Sequence, residues 1–245
     1  MTIPSFTKSK LCLIIITILS IPYMAFIITN ADMIDHRSNN PLKVIKFTTA
    51  TIFIEQNSVD GDTEVVMQVK GGDIGLRNFT LKSPSNNILY TFNSPSNNKN
   101  LGGREILIES PEPKDLNLIF KAYPEGEYIF SGEDHIGQKY YSSITLVHNI
   151  PDPAIIISPK SNSTIKRSGL IVEWNVNSPM QYFIVELKNA ETEMNLEVVI
   201  SGTKNQFIAP ESWLEPNSEY QVSIFSVDQY GNRTATETNF YTMAE

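Results

Sequence analysis

The residue types best suited to chemistry gather in one short stretch, Glu55-x-Asn57-x-x-Asp60-Gly61-Asp62-x-Glu64. Calcium takes about six to eight oxygen ligands, and an Asp-x-Asp turn offers several at once. Glu55, Asn57, Asp60, Asp62 and Glu64 are therefore a candidate calcium site, although the full EF-hand pattern is absent. The competing reading is a plain hairpin: Asp-Gly is a preferred two-residue turn, and acids keep a turn solvated. Paired carboxylates also serve glycoside hydrolysis, but that requires two acids held at a fixed separation across a cleft.

Other catalytic patterns are missing. The chain has no Gly-x-Ser-x-Gly elbow, and its one cysteine is Cys12. His36, His135 and His148 stand apart, none with a second histidine at metal-ligand spacing. Gly71-Gly72 and Gly102-Gly103 lack the strand, glycine-rich turn and helix of a phosphate loop, and read as turn glycines. The residues point away from an enzyme, with no cofactor expected beyond the candidate calcium.

The N-terminus carries Lys8 and Lys10 and then a nearly unbroken apolar run from Leu11 to Ile28. A basic start before such a run is an export signal. Residues 1–31 are either a cleaved signal peptide, ending near Thr29 and Ala31, or a retained membrane anchor. Both place the remainder outside the cytoplasm: periplasmic, at the cell surface or secreted. Cys12 goes with the leader, so the exported part has no disulfide, which leans toward a bacterial envelope protein. The net charge is −8 with no Lys/Arg cluster, which argues against nucleic acid. Membrane contact is expected only through an uncleaved leader.

The elements that must position these residues are strands. Residues 32–45 read as a polar tether. From there short β-branched segments recur, separated by Gly, Asn, Pro and Ser: Thr48–Gln56, Glu64–Lys70, Leu76–Ser83, Ile88–Phe92, Glu105–Glu109, Gly126–Ser131 and Tyr140–His148. That rhythm predicts a sandwich over 46–150. One segment differs: Leu116, Ile119, Phe120 and Tyr123 have helical spacing, which predicts a short helix over 113–123 with Pro113 in its first turn. Asn149-Ile-Pro-Asp-Pro153 reads as a stiff boundary, because each proline removes a donor and fixes φ.

Seven further strands are expected from Ala154 onward, ending with Tyr220–Val227 and Thr236–Thr242. Trp174, in Leu-Ile-Val-Glu-Trp-Asn, has the place of a core tryptophan between two sheets. Tyr220, in Leu214-x-Pro216-x-x-x-Tyr220, has the place of a tyrosine corner. With Pro159, the Val222/Ile224 alternation, Gly231-Asn232 and Phe240-x-Thr242, residues 151–245 resemble a fibronectin type III module. The last hairpin is similar to those of modules appended to exported bacterial proteins. Residues 46–150 resemble the immunoglobulin-like domains found beside such modules, on Pro124-Glu-Gly-Glu-Tyr128 before a strand.

The expectation is an all-β chain of two tandem sandwiches, immunoglobulin-like then fibronectin type III-like. The resemblance implies a non-catalytic binding or spacer protein with a protein partner at the bacterial envelope. The alternatives are a carbohydrate-binding protein, with or without calcium, and a structural subunit of an envelope assembly. Sandwich modules present loops at their ends, so the expected contact loop is Tyr230, Asn232 and Arg233, with Tyr230 the exposed aromatic. For a glycan, the first domain offers Tyr140 and Tyr141.

Overall fold

The computed structural model describes residues 43–94 and 102–244. The expected leader over 1–31, with Cys12, and most of the tether, with His36, lie outside the described residues.

The chain is all-β with one short helix. The strands are β1 (Thr49–Asn57), β2 (Thr63–Lys70), β3 (Leu76–Lys82), β4 (Ile88–Asn93), β5 (Glu105–Glu109), β6 (Gly126–Asp134), β7 (Lys139–Leu146), β8 (Ile155–Ser158), β9 (Ser163–Ile165), β10 (Ile171–Asn175), β11 (Tyr182–Asn189), β12 (Asn195–Ser201), β13 (Gln206–Ile208), β14 (Glu219–Val227) and β15 (Arg233–Thr242). The helix α1 is Leu116–Ala122. It is shorter at its start than 113–123, because Asp115 rather than Pro113 begins it. The Asp115 carboxylate accepts from the Asn117 N–H and satisfies one of the donors a helix start leaves open. Ile119 is the helix's buried residue.

Each half has its own apolar core. In the first, Ile52 and Ile54 of β1 and Val65, Met67 and Val69 of β2 pack with Phe79, Leu81, Tyr128 and Phe130 from the sheet β4-β3-β6-β7. The inward residues of β1 and β2 alternate with outward ones, as the two-residue period of a strand dictates. In the second, Trp174 and Val172 of β10 pack with Phe183, Val185 and Leu187 of β11 and Val222, Ile224 and Phe240 of the last hairpin. The Trp174 and Phe183 rings meet edge to face, centroids 5.2 Å apart. Here the sheet β13-β10-β8 faces β12-β11-β14-β15, two sheets joined as in a fibronectin type III module. β9, which the sequence pattern did not predict, is three residues long and pairs with the end of β15 at Phe240–Thr242.

The two halves share a sheet. The order β12-β11-β14-β15-β1-β2-β5 is continuous, because β1 pairs in parallel with the start of β15: Glu55 opposite Arg233, Gln56 opposite Thr234, Asn57 opposite Ala235. Gln56 belongs to the inward set of β1 and Thr234 to that of β15, so both cores lie on the same face of this sheet. The described residues form one compact unit. The expected tether to residue 45 is also shorter: Ile45 already bridges Tyr140, and its N–H bonds Lys139.

Candidate binding surface at the domain junction

The junction is built by the turn between β14 and β15. Asp228 sits at its base and its Oδ1 accepts from the N–H groups of Tyr230 and Asn232, which closes the turn over Gly231 at φ 90°. Asn232 is 1% exposed. Its Oδ1 accepts from the Ile54 N–H at 2.8 Å, and its Nδ2 donates to the carbonyls of Val147 (2.9 Å) and Asn149 (2.7 Å). One amide thus ties the second domain to a strand of the first and to the linker. Asn149 returns a bond to Asp228 Oδ2, and the Thr234 hydroxyl donates to the Pro151 carbonyl. The linker is held by these bonds as well as by its prolines.

On the outer face of the shared sheet the same register lines up charges. Arg233 and Glu55 are neighbours at 3.6 Å, with side chains only 12% and 7% exposed. The Arg233 guanidinium also lies over the Phe53 ring, 4.2 Å from its centroid, a cation–π contact across the junction. Glu64 stands directly opposite Glu55 on β2. Glu186 and Glu197 face each other on β11 and β12, and Glu237 lies two strands further along this face.

Burial in this setting favours the protonated acids. Glu64 is pushed up to about 8, first by burial and then by Glu55, Glu109 and Glu112. Glu186 is pushed up to about 7 by burial, then by Glu197 and Glu55, with Arg233 opposing. Glu55 and Glu237 are also raised chiefly by burial, Glu55 against the pull of Arg233.

The five residues of the candidate calcium stretch have separate duties. Asn57 Oδ1 accepts from the Val59 N–H, and Asp60 Oδ1 from the Asp62 N–H. Asp62 is 3.7 Å from the Lys114 ammonium, which donates to the Asp60 carbonyl. Glu55 goes to Arg233, and Glu64 faces other acids. Among the described residues no three acidic, histidine or cysteine side chains are grouped to hold a metal ion.

Three of the four expected structural residues, Trp174, Leu214 and Tyr220, occupy the second core. Trp174 and Tyr220 are fully buried and Leu214 is 1% exposed. The Tyr220 hydroxyl accepts from the Glu215 N–H at 2.6 Å, and its ring stacks on Phe240. Pro216 is exposed in the turn and Asn217 follows it at φ 53°, a sequence suited to a turn that needs one left-handed residue. Of the expected contact loop, only Tyr230 faces solvent, at 46% exposure. Asn232 and Arg233 are committed to the first domain, because their polar groups are the bonds that hold it. Tyr140 offers no glycan platform: it is 6% exposed, stacked on Phe47 and bonded to Asp134, whereas Tyr141 is 45% exposed. His148 stacks on Phe120 and its Nε2 lies 2.8 Å from the Tyr123 carbonyl.

Two features escaped the sequence reading. The first domain has a tyrosine corner of its own, with the Tyr128 hydroxyl donating to the Pro124 carbonyl at 2.9 Å. The Pro-x-x-x-Tyr spacing shared by Pro124–Tyr128 and Pro216–Tyr220 is the signal that could have found it. The carboxylates Glu186, Glu197 and Glu237 join the junction only through strand register, which leaves no local trace.

The molecule is thus an all-β chain of sandwich domains, and its neighbours among solved structures are fibronectin type III proteins. A two-domain fibronectin type III segment of chicken tenascin is similar at 14% identity over 81% of this chain and 98% of that one, with a TM-score of 0.30. The FN1–FN3 domains of chicken CNTN1 are similar at 10% identity over 82% of this chain and 69% of that one, with a TM-score of 0.35. No family model matches the chain.

Proposed function

We propose that this chain is a non-catalytic interaction and spacer protein, exported to the bacterial envelope or cell surface, where it binds another protein. The observation that supports this best is the shared sheet. β1 pairs with β15, and Asn232, Thr234 and Asp228 clamp the linker. A flexible connection would let each sandwich present its loops independently; this one holds both sets on a single frame. That suits a partner that must be gripped or held at a distance. The exposed Tyr230 beside the clamp is a fitting contact residue, since an amphipathic ring covers much area at low entropic cost.

The test is to express the tagged full-length chain in its native host, fractionate the cells, crosslink and identify what co-purifies. A protein partner in the envelope fraction is expected. Tyr230→Ala should weaken its capture while leaving the melting temperature unchanged. A partnerless protein free in the medium that binds glycans would overturn the reading in favour of carbohydrate recognition.

A further inference from the structure

The outer face around Glu64 has an unanswered charge. Glu64 is 9% exposed, yet its carboxylate makes no hydrogen bond or ion pair among the described residues. Its electrostatic neighbours are other acids: Glu55 across the β1–β2 pair, Glu109 at the end of β5 and Glu112 just beyond it. The cations nearby are already engaged. Arg233 pairs with Glu55 and covers Phe53, and Lys114 serves Asp62 and the Asp60 carbonyl. Burying a carboxylate without a partner is costly, and an apolar residue of similar size in its place would be neutral or better. The adjoining Val65 and Val66, 0% and 1% exposed, show that this strand accommodates buried apolar side chains.

We infer that Glu64, rimmed by Glu109 and Glu112, is a docking site for a lysine or arginine carried on an extended, basic segment of a partner protein. The inference rests on reading the chain as an interaction protein and names the chemistry of what it would grip. A side-chain cation fits better than a metal ion. The acids come from three neighbouring segments, and among the described residues no three are grouped as metal ligands. An ammonium or guanidinium spreads its donors over several carboxylates. The segment's extended form follows from β5. Among the described residues β5 ends the shared sheet, so one row of its backbone donors and acceptors lacks a strand partner. A strand laid beside Glu105–Glu109 could carry a cationic residue toward Glu64 at its end. The position of Glu64, at about 8, adds a signature: a docked cation would favour the carboxylate, so binding at neutral pH should release a proton.

The test uses the full chain and, as probe, a nonapeptide alternating lysine and threonine. Calorimetry in two buffers of different ionisation enthalpy reads affinity and proton release together. The expected result is binding with proton release. In Glu64→Gln the affinity should fall about tenfold or more and the proton release should vanish, while its melting temperature stays at or above wild type. Glu211→Gln, an exposed acid of the second domain, should bind as wild type does. The inference is overturned if the peptide fails to bind, if both variants lose affinity equally, or if calcium binds at this site and excludes the peptide. If crosslinking finds a partner but its contacts lie elsewhere, this site falls while the interaction reading stands.

Discussion

The two faces of the shared sheet both hold buried side chains, but only the outer one sets carboxylates beside its apolar patch of Ile184, Phe225, Val227 and Ala235. On the inner face Ile54, Val65, Val222, Ile224 and Phe240 are fully buried among apolar neighbours. On the outer face, at the junction, Glu55 and Glu64 are also nearly buried; Glu55 has Arg233 beside it, and the neighbours of Glu64 are acids. The inner face gains from burial, roughly 1.5–3 kcal/mol for each large apolar side chain. The outer face works against it, because each carboxylate must either keep a proton or find a cation. Stability alone explains the first face. The carboxylates of the second are retained at a cost, which marks them as the place where interactions are to be sought.

The sharpest way to test the inner face is to remove the largest side chain packed against it, Trp174 on the facing sheet. Trp174→Ala should cost roughly 3–5 kcal/mol. At about 2–4 °C per kcal/mol for a chain of this size, the thermal midpoint should fall by at least 6 °C, or the protein should become molten. A sharp, near-native transition measured by circular dichroism would mean that the second core does not depend on this ring.

Asn232→Ala attacks the junction without touching either core. It orphans the Ile54 N–H and two carbonyls, those of Val147 and Asn149. The expected loss is about 2–4 kcal/mol, because an unsatisfied buried group costs more than a typical bond contributes. The form of the transition is more telling than its midpoint. With the clamp cut, the two sandwiches should unfold in separate steps, visible in calorimetry as two peaks where wild type shows one. A single unshifted peak would mean that the β1–β15 pairing alone couples them.

These two residues also mark what the sequence revealed and what it hid. Trp174, Leu214 and Tyr220 were legible because their roles follow from local spacing: a tryptophan mid-strand and a tyrosine four residues after a turn proline. Most strands were legible for the same reason, through alternation and punctuation. Asn232 was visible only as a polar residue in a hairpin turn, a type and place that ordinarily face water. Its partners Ile54 and Val147 lie 178 and 85 residues away. The β1–β15 pairing rests on three residue pairs at the same large separation, and a parallel contact so short imposes no pattern on the chain. The acids near position 60 stood out in the sequence as a candidate calcium turn. Their significance changed once register set Glu55 and Glu64 opposite each other, apart from Asp60 and Asp62, with Arg233 beside Glu55.

The outer face makes its own prediction about pH. Glu64 and Glu186 sit near 8 and 7 when folded, above the ordinary carboxyl value of 4.5. Between those limits the folded chain holds protons that the unfolded chain has released, so stability falls as pH rises. The stabilising contribution is complete below about 4.5 and is lost as pH passes through 7 to 8. The thermal midpoint should therefore decline by several degrees between pH 5.5 and pH 8.5, opposite in sign to the usual salt-bridged carboxylate. Glu64→Gln should flatten the decline. A midpoint that rises over this range would show that the outer face has partners for its charges.

The smallest effects compare the two domains through their tyrosine corners. Tyr128 donates its hydroxyl proton to the Pro124 carbonyl, whereas Tyr220 accepts from the Glu215 N–H. Either change to phenylalanine removes one hydrogen bond, a loss of about 0.5–1.5 kcal/mol. The group left behind differs. A carbonyl has two lone pairs and tolerates being short of one donor, while an orphaned N–H has no alternative. Tyr220→Phe should therefore lower the thermal midpoint more than Tyr128→Phe. Burial pushes the Tyr128 hydroxyl up to about 12, so its proton stays in place across the accessible pH range. The order Tyr220 above Tyr128 should thus hold at pH 5.5 and at pH 8.5. A reversal would mean that the first domain leans on its corner more than the second does, and that the domain with the fainter sequence signature has the stricter geometry.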